Sequence, residues 1–184
     1  VLPEFSGNEI TAHASGAVYV YAAEVHNLTA LNSYAGNDQD FVYVNGAYEF
    51  GDEPRAWERL DVPYRVDGVF ILYTHLTLEA GTRLEFTDES GLRVINQLAG
   101  VTAVGTAGEP IVFTGVTAEP GAWNGLYFAN LNENGDPVAR SRFEHVLVEY
   151  GGAYVFQDRG ANEVWGDFLI DSSGWPSAIE LVSS

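Results

Sequence analysis

Apolar and polar residues alternate with a period near two along most of this chain. Val18, Val20 and Ala22 alternate with Tyr19 and Tyr21, and Phe41–Val44 is a short β-prone run. The same alternation marks Leu76 and Leu78, Leu84 and Phe86, Leu92 and Val94, Val101 and Ala103, and Ile111 and Phe113. It continues at Leu126 and Phe128, Val146 and Val148, Phe168 and Ile170, and Ile179 and Leu181. Gly, Pro, Asn and Asp punctuate these runs, so the pattern predicts strands of about 3–5 residues separated by turns. The one weak helix candidate is 53–60, tightly bounded by Pro54 and Pro63.

Many short strands fit a sandwich, a barrel or a solenoid. The solenoid is favoured on three grounds. Asn-Gly pairs, which two-residue hairpins prefer, occur only at Asn45-Gly46, Asn124-Gly125 and Asn134-Gly135. The unit of strand, turn and strand recurs about every 22–30 residues, a spacing typical of stacked repeats. Leu76–Phe86 and Val101–Phe113 both run strand, Gly-Thr turn, strand. A single coil cannot bury its inner face alone, so coils stack with parallel hydrogen bonding.

Four phrases within Val66–Gly152 carry a resemblance: Leu76–Thr82, Val104–Thr114, Pro120–Phe128 and Phe143–Gly152. In this order they resemble bacterial right-handed parallel β-helix repeat proteins of surfaces and secreted multidomain chains. The resemblance implies an all-β, right-handed parallel β-helix and an extracellular or cell-surface location. It says little about activity, because one fold hosts many functions.

The expected organisation is a single β-helix domain over 1–184, belonging to a longer solenoid, with polar loop insertions at 31–61 and 129–140. Ser15-Gly-Ala-Val-Tyr-Val20 is similar to the Ser-Gly turn and strand at Ser173–Leu181. Both ends then sit at similar phases of a coil without an evident polar cap, which points to excision from a longer array or to end-to-end contact between copies.

Charge narrows the partners. The net charge of −18 repels phosphate backbones and anionic membranes, which argues against nucleic acid. No apolar run approaches the ~18–20 residues of a membrane span. All eight basic residues are Arg, which excludes lysine chemistry, and the lack of Cys excludes thiol catalysis and disulfides. No Met is present and no signal peptide is visible, so the chain reads as processed or cut from a longer protein.

Catalytic phrases are missing. β-Helix galacturonases carry an Asn-Thr-Asp phrase, an Asp pair and a Gly-His-Gly phrase, and none occurs here. Pectate-lyase-like enzymes carry calcium-binding Asp clusters beside a catalytic Arg; the nearest candidates are Asp158-Arg159 and Arg140 and Arg142 near Glu144. Alternation places Glu144 on the same face as Val146 and Val148, pointing inward, with Glu149 outward. Glu85 and Glu89 form either an outward acidic cluster or a solvated edge. His13, His26, His75 and His145 have no metal-ligand spacing. Asn27-Leu-Thr29 fits a glycosylation pattern that matters only in a glycosylating host. No cofactor is expected apart from calcium, for which two loops are candidates. Asn130, Asn132 and Asn134 mimic a calcium loop closed by Gly135, but with Asn where Asp is usual and Ser141 at the distal Glu position. Asp38 and Asp40 offer better ligands without a closing Glu.

Aromatic residues are the best binding signal. Tyr19, Tyr21, Tyr43, Tyr127 and Trp175 are the candidate ligand-binding residues, on or beside strands, as are Trp123 and Trp165. Exposed aromatics stack on sugar rings, but β-helix interiors also stack aromatics in columns, and Trp123 and Phe128 are expected inside. Three functions stay open. One is a non-catalytic structural, adhesive or glycan-binding module. The second is a fragment of a polysaccharide lyase or glycoside hydrolase. The third is a self-assembling solenoid whose partners are copies of itself.

Overall fold

The computed structural model describes residues 5–46, 53–94, 98–128 and 141–152, and the backbone of two later strands, 168–170 and 179–182. The chain winds through stacked coils, and successive strands in each full coil feed three separate sheets. The first two coils carry β1 (Val18–Tyr21), β2 (Val42–Asn45) and β3 (Arg55–Trp57). The next has β4 (Tyr64–Asp67), β5 (Val69–Leu72) and β6 (His75–Leu78), and the one after it β7 (Arg83–Phe86), β8 (Gly91–Val94) and β9 (Gly100–Val104). Then come β10 (Ile111–Gly115), β11 (Gly125–Phe128) and β12 (Ser141–Glu144), followed by β13 (Val146–Val148), β14 (Phe168–Ile170) and β15 (Ile179–Val182). The first sheet runs β1-β2-β4-β7-β10-β13, the second β5-β8-β11-β14, and the third β3-β6-β9-β12-β15. Every pairing between these strands is parallel. This is the expected right-handed parallel β-helix.

Alternation decides which side chains fill it. In the first sheet Val42, Tyr64, Leu84 and Phe113 occupy one inward column, and Val44, Val66 and Phe86 the next. Parallel strands sit ~4.8 Å apart, so inward rings of successive coils meet face to face. Trp57, Phe70, Phe86 and Trp123 form such an interior stack, with centroid separations of 5.7, 6.5 and 4.3 Å. Trp123 and Phe128 are buried as expected, and the Trp123 indole N–H donates to the Glu149 carbonyl at 2.8 Å.

Two local expectations are corrected. The supposed insertion at 31–61 contains β2 and β3, each paired to the following coil, because Val42, Val44 and Trp57 supply inward residues. The helix candidate at 53–60 holds β3 instead, where Trp57 pairs with Leu78. The short helix of the described residues lies elsewhere, a 3₁₀ segment at Ala22–Asn27 that buries Ala22 and Val25. The insertion expected at 129–140 and the turn at 173 lie outside the described residues.

Two of the Asn-Gly pairs, at 45–46 and 124–125, serve as corners between coil faces. At Asn45-Gly46 the Gly46 N–H donates to the Asp67 carbonyl of the next coil. At Asn124-Gly125 the Asn124 side chain donates to the Glu89 carbonyl at 2.7 Å, and Gly125 adopts φ 104°, a left-handed conformation that glycine accepts without a Cβ clash. Before β1 the chain from Phe5 to Ala17 lies along the next coil. Asn32, nearly buried, receives the Asn8 backbone N–H at 3.0 Å and its side-chain amide at 2.9 Å, and donates to the Phe5 carbonyl at 2.9 Å.

Candidate carbohydrate-binding face

The first sheet turns its even alternates inward and its odd ones outward at β1 and β2. Tyr19 therefore stands directly over Tyr43 in the parallel register. The rings stack with centroids 5.0 Å apart and planes inclined by 14°. Tyr21 meets Tyr19 edge-on at 6.0 Å. Tyr19 is 58% exposed and Tyr21 44%, while Tyr43 is half-buried. β1 ends its sheet, so among the described residues no strand covers the face of Tyr19 turned away from Tyr43.

Polar groups fix these rings. The Asn45 side-chain amide donates to the Tyr19 hydroxyl at 2.6 Å. The Tyr43 hydroxyl donates to the Asp67 carboxylate, which also accepts the Thr87 hydroxyl at 2.6 Å. Thr87 in turn lies 2.7 Å from the Ser90 hydroxyl, whose oxygen accepts the Gly68 N–H at 2.8 Å. One polar chain thus ties three successive coils. Hydrogen bonds from Thr87 and Tyr43 hold the Asp67 carboxyl below its usual range, and the bond to that carboxylate pushes the Tyr43 phenol up to about 12.

Beyond Tyr43, the outward column continues through Arg65 to Glu85. The Arg65 guanidinium lies 3.8 Å over the Phe41 ring and pairs with Glu85 at 3.2 Å. Glu85 also accepts Arg83 at 3.1 Å. The charges here are therefore engaged with one another.

Among the described residues, the other sequence candidates do not join this face. Tyr127 lies on β11 in the second sheet, 8% exposed, with the Arg93 guanidinium 5.4 Å from its ring centroid. Asp38 and Asp40 are exposed in the loop before β2, where the Asp40 carboxylate accepts the Asn37 N–H at 2.8 Å. Trp165, Trp175, Asn130, Asn132 and Asn134 lie outside the described residues. Among the described residues no three His, Asp or Glu side chains gather where they could hold a metal ion. Glu144 corrects an expectation. His145 takes φ 48° between β12 and β13, and this corner resets the alternation. Phe143 is buried and Glu144 points outward to pair with Arg142 at 2.6 Å. Glu85 is engaged by Arg65 and Arg83, while Glu89 is exposed in a turn at φ 59°.

Asn45, Arg65, Asp67 and Thr87 were not among the sequence candidates. Their signal was the outward phase they share with Tyr19, Tyr21 and Tyr43, which becomes visible only once the coils are aligned.

No helix among the described residues is long and apolar enough to cross a membrane. No curated protein and no solved structure matches the chain. A family model described as a pectate-lyase-like β-helix domain matches residues 58–161. With more than half of its length matched and its strands wound in parallel coils, the chain belongs to the pectate-lyase-like β-helix domain family.

Proposed function

We propose that this chain is a non-catalytic glycan-binding β-helix module of an exported protein, and that it engages sugar through Tyr19, Tyr21 and Tyr43. The observation that carries this reading is the exposed Tyr19 ring, stacked on Tyr43 and anchored by Asn45 on a rigid sheet. Exposed aromatic rings with wet polar tips suit the apolar faces of pyranose rings, and rings already held in place lose little entropy on binding. An extracellular setting fits a family typical of that compartment and the acidic surface, which disfavours nucleic acid.

The test is retention on a panel of polysaccharides, comparing the native chain with Tyr19→Ala and Tyr43→Ala. We expect measurable retention that falls at least about tenfold on loss of the Tyr19 ring, with the thermal midpoint little changed. Equal retention by Tyr19→Ala, or none by the native chain across the panel, would overturn the reading.

A further inference from the structure

We infer that the Tyr19–Tyr43 face selects uncharged hexopyranose polymers and turns away polyuronates. The inference rests on reading this face as a glycan platform and adds the charge class of the glycan.

A polyuronate carries a carboxylate on each sugar, so its recognition needs cations aimed at those groups, best supplied by the fork of Arg. The arginines beside this face point their charge elsewhere. Arg65 is held between the Phe41 ring, the Gln39 amide oxygen at 3.3 Å and Glu85 at 3.2 Å. Arg83 is paired with the same Glu85 at 3.1 Å. The nearest ionised group tied to the tyrosines is the Asp67 carboxylate, hydrogen-bonded to Tyr43. The face therefore meets an incoming carboxylate with like charge on a protein whose net charge is −18.

The groups that remain suit a neutral sugar. The Tyr19 ring offers an apolar surface, and its hydroxyl accepts from Asn45 while keeping its own proton to donate. Asp67, held ionised, offers an acceptor for sugar hydroxyls. Stacking on a neutral ring costs no charge desolvation.

The experiment is affinity electrophoresis of the whole chain through gels containing hydroxyethyl cellulose, linear galactan, polygalacturonate or chitosan. Each gel is run at low and at high salt, with Tyr19→Ala beside the native chain. We expect a neutral polymer to retard the native chain but not Tyr19→Ala. Polygalacturonate should bind at least about tenfold more weakly at low salt, with the gap narrowing as salt screens the repulsion. If polygalacturonate retards the chain as strongly as the neutral polymers and Tyr19→Ala abolishes it, the charge selectivity is wrong while the platform stands. The same holds if chitosan exceeds the neutral polymers at high salt through Tyr19. If no polymer retards the chain, or Tyr19→Ala changes nothing, both the platform and its selectivity fall.

Discussion

The Tyr43 hydroxyl donates to the Asp67 carboxylate of the following coil, and this bond couples the exposed aromatic stack to the body of the solenoid. Tyr43 holds Tyr19 by stacking, and Asp67 is held in turn by Thr87. Changes at Asp67 should therefore be felt at the tyrosines.

The first prediction concerns alkaline titration. The Tyr43 phenol is raised to about 12, so the protonated phenol is favoured by the fold. That contribution is present below the unfolded pKa of ~10 and is lost as pH rises through about 12. Ultraviolet titration of the folded protein should show this late phenol, and Asp67→Asn should bring one tyrosine back toward its ordinary range. An unchanged titration curve in Asp67→Asn would show that the bond is not formed in solution.

Acid should act on the partner. Asp67 is depressed, so its contribution is complete above the unfolded carboxylate pKa of ~3.9 and is lost as pH falls through the folded value. Asp67 is solvent-exposed, so screening limits the loss in Asp67→Asn to about 1 kcal/mol at neutral pH. Urea unfolding at several pH values should show the gap between native chain and variant closing in strong acid.

Phe86 lies between Phe70 and Trp123 in the interior stack and is fully buried. Phe86→Ala removes contacts on both sides and should cost about 3–5 kcal/mol. Denaturant midpoints would reveal it. A loss below about 1 kcal/mol would mean that the stack does not hold the coils together.

Two glycines of one loop should behave oppositely. A Cβ at Gly105 would lie 2.7 Å from the His145 carbonyl and 2.9 Å from that of Glu109, backbone atoms that cannot swing away. A Cβ at Gly108 meets nothing within 4 Å. Gly105→Ala should destabilise by about 1–3 kcal/mol through overpacking, while Gly108→Ala should be neutral or gain up to about 1 kcal/mol. Thermal melting of the two variants provides the comparison.

Asn32→Ala should loosen the first coil locally. It leaves the Asn8 amides and the Phe5 carbonyl without their partner, at a cost of about 1–3 kcal/mol. Hydrogen exchange should accelerate across 5–13, with the strands from β7 onward keeping their protection.

The sequence by itself determined the class of structure. Alternation at pairs such as Leu84 and Phe86, or Ile111 and Phe113, fixes which side chains face inward, because strand geometry sends neighbours to opposite faces. Short inward rows fit a sandwich, a barrel or a solenoid, and the recurring strand-turn-strand phrases, with the family resemblance they carry, singled out the parallel β-helix. Tertiary structure decided which outward residues meet. Coil length varies along the inward column of Val18, Val42, Tyr64, Leu84 and Phe113, so no fixed spacing relates Tyr19 to Tyr43 or Tyr43 to Arg65. Only the parallel hydrogen-bond ladder sets that register. Corners matter equally, because the left-handed His145 turned Glu144 outward against the simple alternation. Burial separated Tyr127 from the exposed tyrosines, although all share the same chemistry. The aromatic face was thus present in the sequence as residue types, and the winding of the chain brought Tyr19, Tyr43 and Asp67 together.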